Sequence, residues 1–132
     1  MVIVVDASTL TEALTGDGPA GKSARARLMR DNHWAAPEHL VVETFHAVRG
    51  RLLGGKITQE RADAAVASLA GAAIETVQVQ RLLPRMWELR QNVSGYDAAY
   101  IAAAEAFACP LVTGDARLSR CKIARCTIEV IG

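Results

Sequence analysis

An α/β domain, three-layered α/β/α around a mainly parallel central sheet, is the fold the sequence predicts. Three observations carry that expectation. Val2–Val5 is a continuous β-branched run, the pattern of a strand buried on both faces. Short strand-like runs recur at His33–Ala35, Ile74–Val77, Pro110–Thr113 and Ile128–Ile131, with helix-length segments between most of them. The 132 residues contain no repeat and no linker long enough to divide them, so one domain spanning 1–132 is expected.

Each element has a local reason. Asp6 ends the first strand, and Ala7–Thr15 reads as a helix. Gly16–Gly21 reads as a flexible turn and Lys22–Arg30 as a second helix. After the His33–Ala35 strand, Pro37 is placed at the first position of a helix, where its missing N–H costs nothing. That helix runs to about Leu53 and stops at Gly54–Gly55; Val41, Phe45, Val48 and Leu52 form its predicted core stripe. Thr58 is the N-cap of the next helix, with Arg61 where a capping box would want an acid. The Ile74–Val77 strand is followed by helices over Pro84–Asn92 and Ser94–Ala108, and then by the last two strands.

Composition narrows the classes. Hydrophobic residues make up 51% of the chain and charged residues 22%, which excludes a disordered protein. Aromatics reach only 5%, so Ala, Val, Leu and Ile must build the core. The longest apolar runs, Met1–Val5 and Ala98–Ala104, fall far short of the roughly 20 residues of a membrane span. No basic region precedes the first run and Asp6 interrupts it, so a cytoplasmic protein without a secretory signal is expected. Cys109, Cys121 and Cys126 are odd in number and lack a C-x-x-C, indicating neither a disulfide framework nor a zinc site. The net charge of +1 names no partner. Twelve of the 15 cations are Arg, whose fork suits phosphate oxygens. Arg117, Arg120, Lys122 and Arg125 cluster near the C-terminus, as either a solvated strip or a phosphate-facing patch.

Topology gives the acids a meaning. Right-handed crossovers make every parallel strand leave the sheet at one edge, where ligands of open α/β sheets bind. Asp6 is the first residue past the first strand, and Asp115 lies two past Thr113. Glu43 falls in the second turn of the helix after His33–Ala35, and Asp97 opens the helix that feeds Pro110–Thr113. All four are expected at that edge, and Asp31 at the opposite one. Singly each has a plain explanation: Asp6 and Asp115 as N-caps, Asp97 in a capping box with Ser94, Glu43 as a solvated side chain. Together they repel. Carboxylates about 7 Å apart cost roughly 2 kcal/mol per pair at an effective dielectric near 20. Their sum, about 10 kcal/mol, is large against a domain stability of about 5–15 kcal/mol. Raised pKa values, nearby Arg or a divalent cation must relieve it. An all-oxygen donor set selects Mg²⁺ or Mn²⁺ over zinc.

At these residues the sequence resembles a known family. Val-Val-Asp6-Ala-Ser8, Glu43 within Val-Val-Glu-Thr, Tyr96-Asp97-Ala-Ala-Tyr100 and Leu-Val-Thr113-Gly-Asp115-Ala-Arg-Leu look like a PIN domain, and more narrowly like the VapC toxins of bacterial type II toxin–antitoxin modules. The resemblance covers nearly the whole chain, in order. It implies a Mg²⁺- or Mn²⁺-dependent endoribonuclease acting on tRNA or rRNA, a homodimer, and neutralisation by a cognate VapB antitoxin. It also implies that Asp6, Glu43, Asp97 and Asp115 are the catalytic metal-binding quartet. Thr113 and Ser8 support them, and Arg117 is a candidate contact for the carboxylates or the RNA backbone. Some PIN domains carry a further acid after the last Asp. Ala116-Arg117 stands here instead, which favours one tightly held ion over two.

Other readings compete. Gly16–Ser23 satisfies the Walker A pattern G-x-x-x-x-G-K-[ST] letter for letter. A phosphate cradle, however, needs a strand running straight into it, and Pro19 removes one amide donor. His39, Glu43 and His46 stand at helical spacing, yet no further nitrogen or sulfur ligand accompanies them, and surface histidines are expected. Trp34 and Trp87 read as core or dimer-face anchors. A catalytically silent PIN-like module that binds RNA or antitoxin is the non-enzyme alternative. A phospho-accepting receiver would need a paired acid that the chain lacks.

Overall fold

A computed structural model describes all residues, Met1–Gly132. The strands are β1 (Val2–Val5), β2 (His33–Pro37), β3 (Ile74–Val77), β4 (Leu111–Thr113) and β5 (Ile128–Val130). The helices are α1 (Ala7–Thr15), α2 (Pro19–Met29), α3 (Leu40–Leu53), α4 (Gln59–Gly71), α5 (Val79–Glu88) and α6 (Gly95–Ala106), with a 3₁₀ turn at Ala116–Arg120. All strand pairs are parallel, in the order β3-β2-β1-β4-β5. From β1 the chain moves outward through β2 to β3. It then returns across the sheet to β4, so the order reverses between β1 and β4. Right-handed crossovers put α1–α4 on one face and α5–α6 on the other.

The centre is a cluster of 23 buried residues built on β1, β4 and α6. With so few aromatics, α6 packs through alanines: Ala98, Ala99 and Ala102–Ala104 are all buried beside Tyr100 and Ile101. Small side chains let this helix lie close on the sheet, which fixes its first turn at the edge where β1 and β4 end.

Several boundaries differ from expectation. The second helix begins at Pro19 rather than Lys22, because Pro19 takes the first helical position behind Gly18. Pro37 ends β2 instead of opening a helix, pairing with Val77. The next helix starts at Leu40, which puts Glu43 in its first turn, and its buried face is Leu40, Thr44 and Val48. Val41 and Phe45 are exposed, so the predicted stripe is rotated; only Val48 and the partly buried Leu52 face inward. The fifth helix begins at Val79 and contains Pro84 in its interior. Val79, Leu82, Met86 and Leu89 turn inward at helical spacing, and that stripe outweighs the hydrogen bond Pro84 cannot make. The sixth helix stops at Ala106, and Ala108 takes a left-handed conformation (φ 51°) just beyond it.

Candidate active site

The four carboxylates come from separate segments and reach one edge of the sheet. Asp6 follows β1 and caps α1, accepting the Thr9 amide at 2.9 Å through Oδ1. The same oxygen accepts the Ser8 hydroxyl at 2.8 Å. Oδ2 accepts the Thr113 hydroxyl at the end of β4. Asp6 is only 4% exposed, so these donors replace lost water. Thr113 Oγ1 in turn accepts the Asp115 amide at 3.0 Å, and Ser8 Oγ accepts the Gly114 amide at 3.2 Å. Two hydroxyls thus stitch β1 to β4 at the point where strand order reverses, the usual ligand crevice of such sheets.

Asp115 caps the 3₁₀ turn and is gripped by Arg117, with Nε at 3.0 Å from Oδ1 and Nη2 at 2.7 Å from Oδ2. That guanidinium holds the Asp115 carboxyl below its ordinary range. Asp97 sits in the first turn of α6, where Ser94 Oγ accepts its amide at 3.2 Å. Burial raises its pKa, as do the negative charges of Asp115, Asp6 and Glu43, against the lowering hydrogen bond with Ser94. Asp97 therefore experiences all three other acids, although each comes from a different element. Glu43 accepts the Tyr100 hydroxyl at 2.5 Å. His39 Nε2 lies 3.7 Å from the same carboxylate oxygen.

As the side chains stand, no three His, Cys, Asp or Glu residues converge closely enough to chelate an ion. Asp6, Glu43 and Asp115 are engaged by Thr113, Tyr100 and Arg117 respectively. The donor chemistry nevertheless fits a hard divalent cation: four carboxylates and two hydroxyls, without sulfur. A groove of about 460 Å³ leads away between α1 and α3, lined by Ser8, Glu12, Glu43, Arg51 and Gly114. A larger cavity, about 920 Å³, lies elsewhere among α1, α2 and α4, and none of the four acids lines it.

Asp31 lies at the opposite edge, paired with Arg27 and 3.6 Å from the Met1 amino group. Arg120, Lys122 and Arg125 are exposed. Of the Walker-like segment, only Gly16–Gly18 is a turn between two helices; Pro19–Ser23 open α2. A Cβ on Gly21 would come within 2.1 Å of the Gly16 carbonyl, so that glycine serves the close approach of the α1–α2 turn. The Gly16 carbonyl faces Arg25 Nη1 at 2.7 Å, the polarity opposite to an amide cradle for phosphate. His46 is exposed, but His39 is not a surface residue; its side chain is 21% exposed and packs on Tyr96 and Tyr100. Trp34 is partly buried and donates to the Leu28 and Asp31 carbonyls, while Trp87 is exposed beneath Arg90. Sequence reasoning assigned no role to Tyr100 or His39. The available signal was helical spacing, Asp97 to Tyr100 on one helix and His39 to Glu43 on another.

A parallel sheet with an acid-lined edge at its switch point defines the class. Residues 3–123 match the PIN domain family, and the chain belongs to that family, in its VapC branch. Ribonuclease VapC9 of Mycobacterium tuberculosis is 38% identical over 130 residues, covering 98% of both chains. Ribonuclease VapC1 of the same organism is 36% identical over 129 residues, covering 97% of this chain and 96% of that protein. The fold is shared with M. tuberculosis VapC20, a Sarcin-Ricin loop cleaving toxin, at TM-score 0.74, 18% identity and coverage of 98% and 99%. It is shared too with VapBC2 from Rickettsia felis, solved bound to a DNA fragment from its promoter, at TM-score 0.70, 15% identity and full coverage of both chains.

Proposed function

We propose that residues 1–132 act as one PIN-like unit, the toxin ribonuclease of a VapBC-type pair, which hydrolyses RNA phosphodiester bonds with Mg²⁺ or Mn²⁺. The observation that carries this reading is geometric: Ser8 and Thr113 join Asp6 to the Gly114–Asp115 backbone at the switch point, and Tyr100 ties Glu43 to the helix that Asp97 opens. Asp6, Glu43, Asp97 and Asp115 would hold the ion, directly or through water. When bound, the ion supplies an activated water and offsets charge on the scissile phosphate.

The chain's own groups prepare that site. Thr113, Ser8 and the Thr9 amide fix both oxygens of Asp6, so the carboxylate loses little freedom on binding. Arg117 holds Asp115 as a carboxylate and, being 81% exposed, is also free to meet an RNA phosphate. Without the ion, burial and the neighbouring carboxylates raise the Asp97 pKa above its ordinary value. Kinship with the VapC ribonucleases supports RNA as the substrate, with tRNA or rRNA the expected class, and a VapB-type antitoxin as partner. Val41, Val42 and Phe45, exposed together on α3, support a homodimer. A cytoplasmic setting accords with that reading; no helix is long and apolar enough to cross a membrane.

Purified protein incubated with total cellular RNA tests the reading. New ends with Mg²⁺ that vanish in EDTA are expected. RNA binding without any cutting would favour the silent module.

A further inference from the structure

Tyr100 is buried to 2% exposure in an alanine helix, yet it carries a hydroxyl into the core. That hydroxyl donates to Glu43 Oε1 at 2.5 Å, joining α6 on one face of the sheet to α3 on the other. Its ring is held in turn: the His39 ring centroid lies 5.0 Å away at 56°, and His39 itself packs on Tyr96 at 5.8 Å. His39, four residues before Glu43, lies beside both groups: its ring packs on the Tyr100 ring, and its Nε2 is 3.7 Å from the Glu43 carboxylate without hydrogen-bonding to it. A glutamate has three rotatable bonds and, in the first turn of an exposed helix, would sample several rotamers. Asp6, Asp97 and Asp115 are each fixed through short side chains beside caps. Glu43 is held by a single side-chain hydrogen bond, and that one comes from a distant element.

We infer that Tyr100 is a positioning residue: its phenol pins one oxygen of Glu43 so that the carboxylate stays within reach of Asp97, and His39 keeps the phenol in place. The inference rests on Glu43 being one of the ion-binding acids proposed above.

Mn²⁺ titration of the full chain, read by calorimetry and by metal-free thermal unfolding, tests it. Tyr100→Phe keeps the ring and its packing. Its affinity for Mn²⁺ should fall about tenfold, the usual scale for losing a partner of a metal-binding group, while the metal-free melting temperature stays near wild type. Glu43→Gln should weaken binding as well, and Tyr100→Phe added to Glu43→Gln should cause no further loss. Unchanged affinity in Tyr100→Phe beside weakened affinity in Glu43→Gln overturns the inference alone. Additive losses in the double variant, or a Tyr100→Phe chain that unfolds, also overturn it, since the phenol would then act on the fold and not through Glu43. A wild type that binds no Mn²⁺ sinks both this inference and the metal-dependent reading beneath it.

Discussion

Asp97 does two things with one side chain position, and the two pull in opposite directions. Its amide is bonded to Ser94, which starts α6. Its carboxylate lies in a partly buried setting beside three like charges. An acid whose folded pKa is raised opposes folding once it ionises, so its penalty is absent in acid and grows as pH rises through the unfolded value toward the folded one. Asp97→Asn removes that penalty and retains a hydrogen-bonding group for the helix start. The metal-free variant should therefore melt at the same temperature as wild type or higher at neutral pH, with RNA cleavage abolished. A large drop in melting temperature would mean that Asp97 serves mainly as a cap. Asp6 and Asp115 share this duality, since both are N-caps as well as edge acids. Capping a helix and facing the acid-lined edge are therefore compatible in one residue.

Among the elements, those set by local chemistry were legible in the chain. The β-branched run at Val2–Val5, the Thr58 cap and the Gly54 stop stand where the sequence put them. Positions decided by tertiary packing were not. Pro37 could serve a helix start or a strand end, and pairing with Val77 decided it. The buried face of α3 departs from its apolar stripe because Val41 and Phe45 are turned outward, while the polar Thr44 is buried. The loop between α1 and α2 illustrates the same limit from the other side. Its letters match a phosphate-binding motif, but the element before it is a helix, and its carbonyl oxygen is taken by arginines. Lys22→Ala should leave RNA cleavage close to wild type, and ATP should not raise the melting temperature of either protein. Parallel loss of cleavage and of ATP-induced stabilisation would restore the motif to function.

Across the whole molecule, charge is arranged by sheet edge. The edge where β1 and β4 end collects acids; elsewhere, several acids are matched with arginine, Asp31 and Glu129 with Arg27 and Glu105 with Arg85. Glu105 is the clearest matched case. Burial would raise its carboxyl, but Arg85 at 2.7 Å and the Arg125 amide at 2.7 Å outweigh that and hold it below the ordinary glutamate range. A depressed carboxyl stabilises the fold above its unfolded pKa of about 4.3 and loses that contribution as pH falls through the folded value. Acid unfolding of Glu105→Gln should accordingly be less steep below about pH 4.3 than that of wild type; an equal slope would show that this pair contributes nothing. The acid-lined edge is left without such matching, apart from Arg117. The placement of Asp6, Glu43, Asp97 and Asp115 at one edge was readable because crossover handedness fixes which end of each strand faces a ligand. The hydroxyl and phenol contacts that hold them were not, since they join residues as far apart as Thr113 and Asp6 or Tyr100 and Glu43. The most direct test of this arrangement is the melting temperature of wild type with and without saturating Mn²⁺. A ligand at a hundredfold over its Kd adds about 2.7 kcal/mol, so the transition should rise by several degrees and return on addition of EDTA. An unchanged transition would mean that these four side chains do not share a cation.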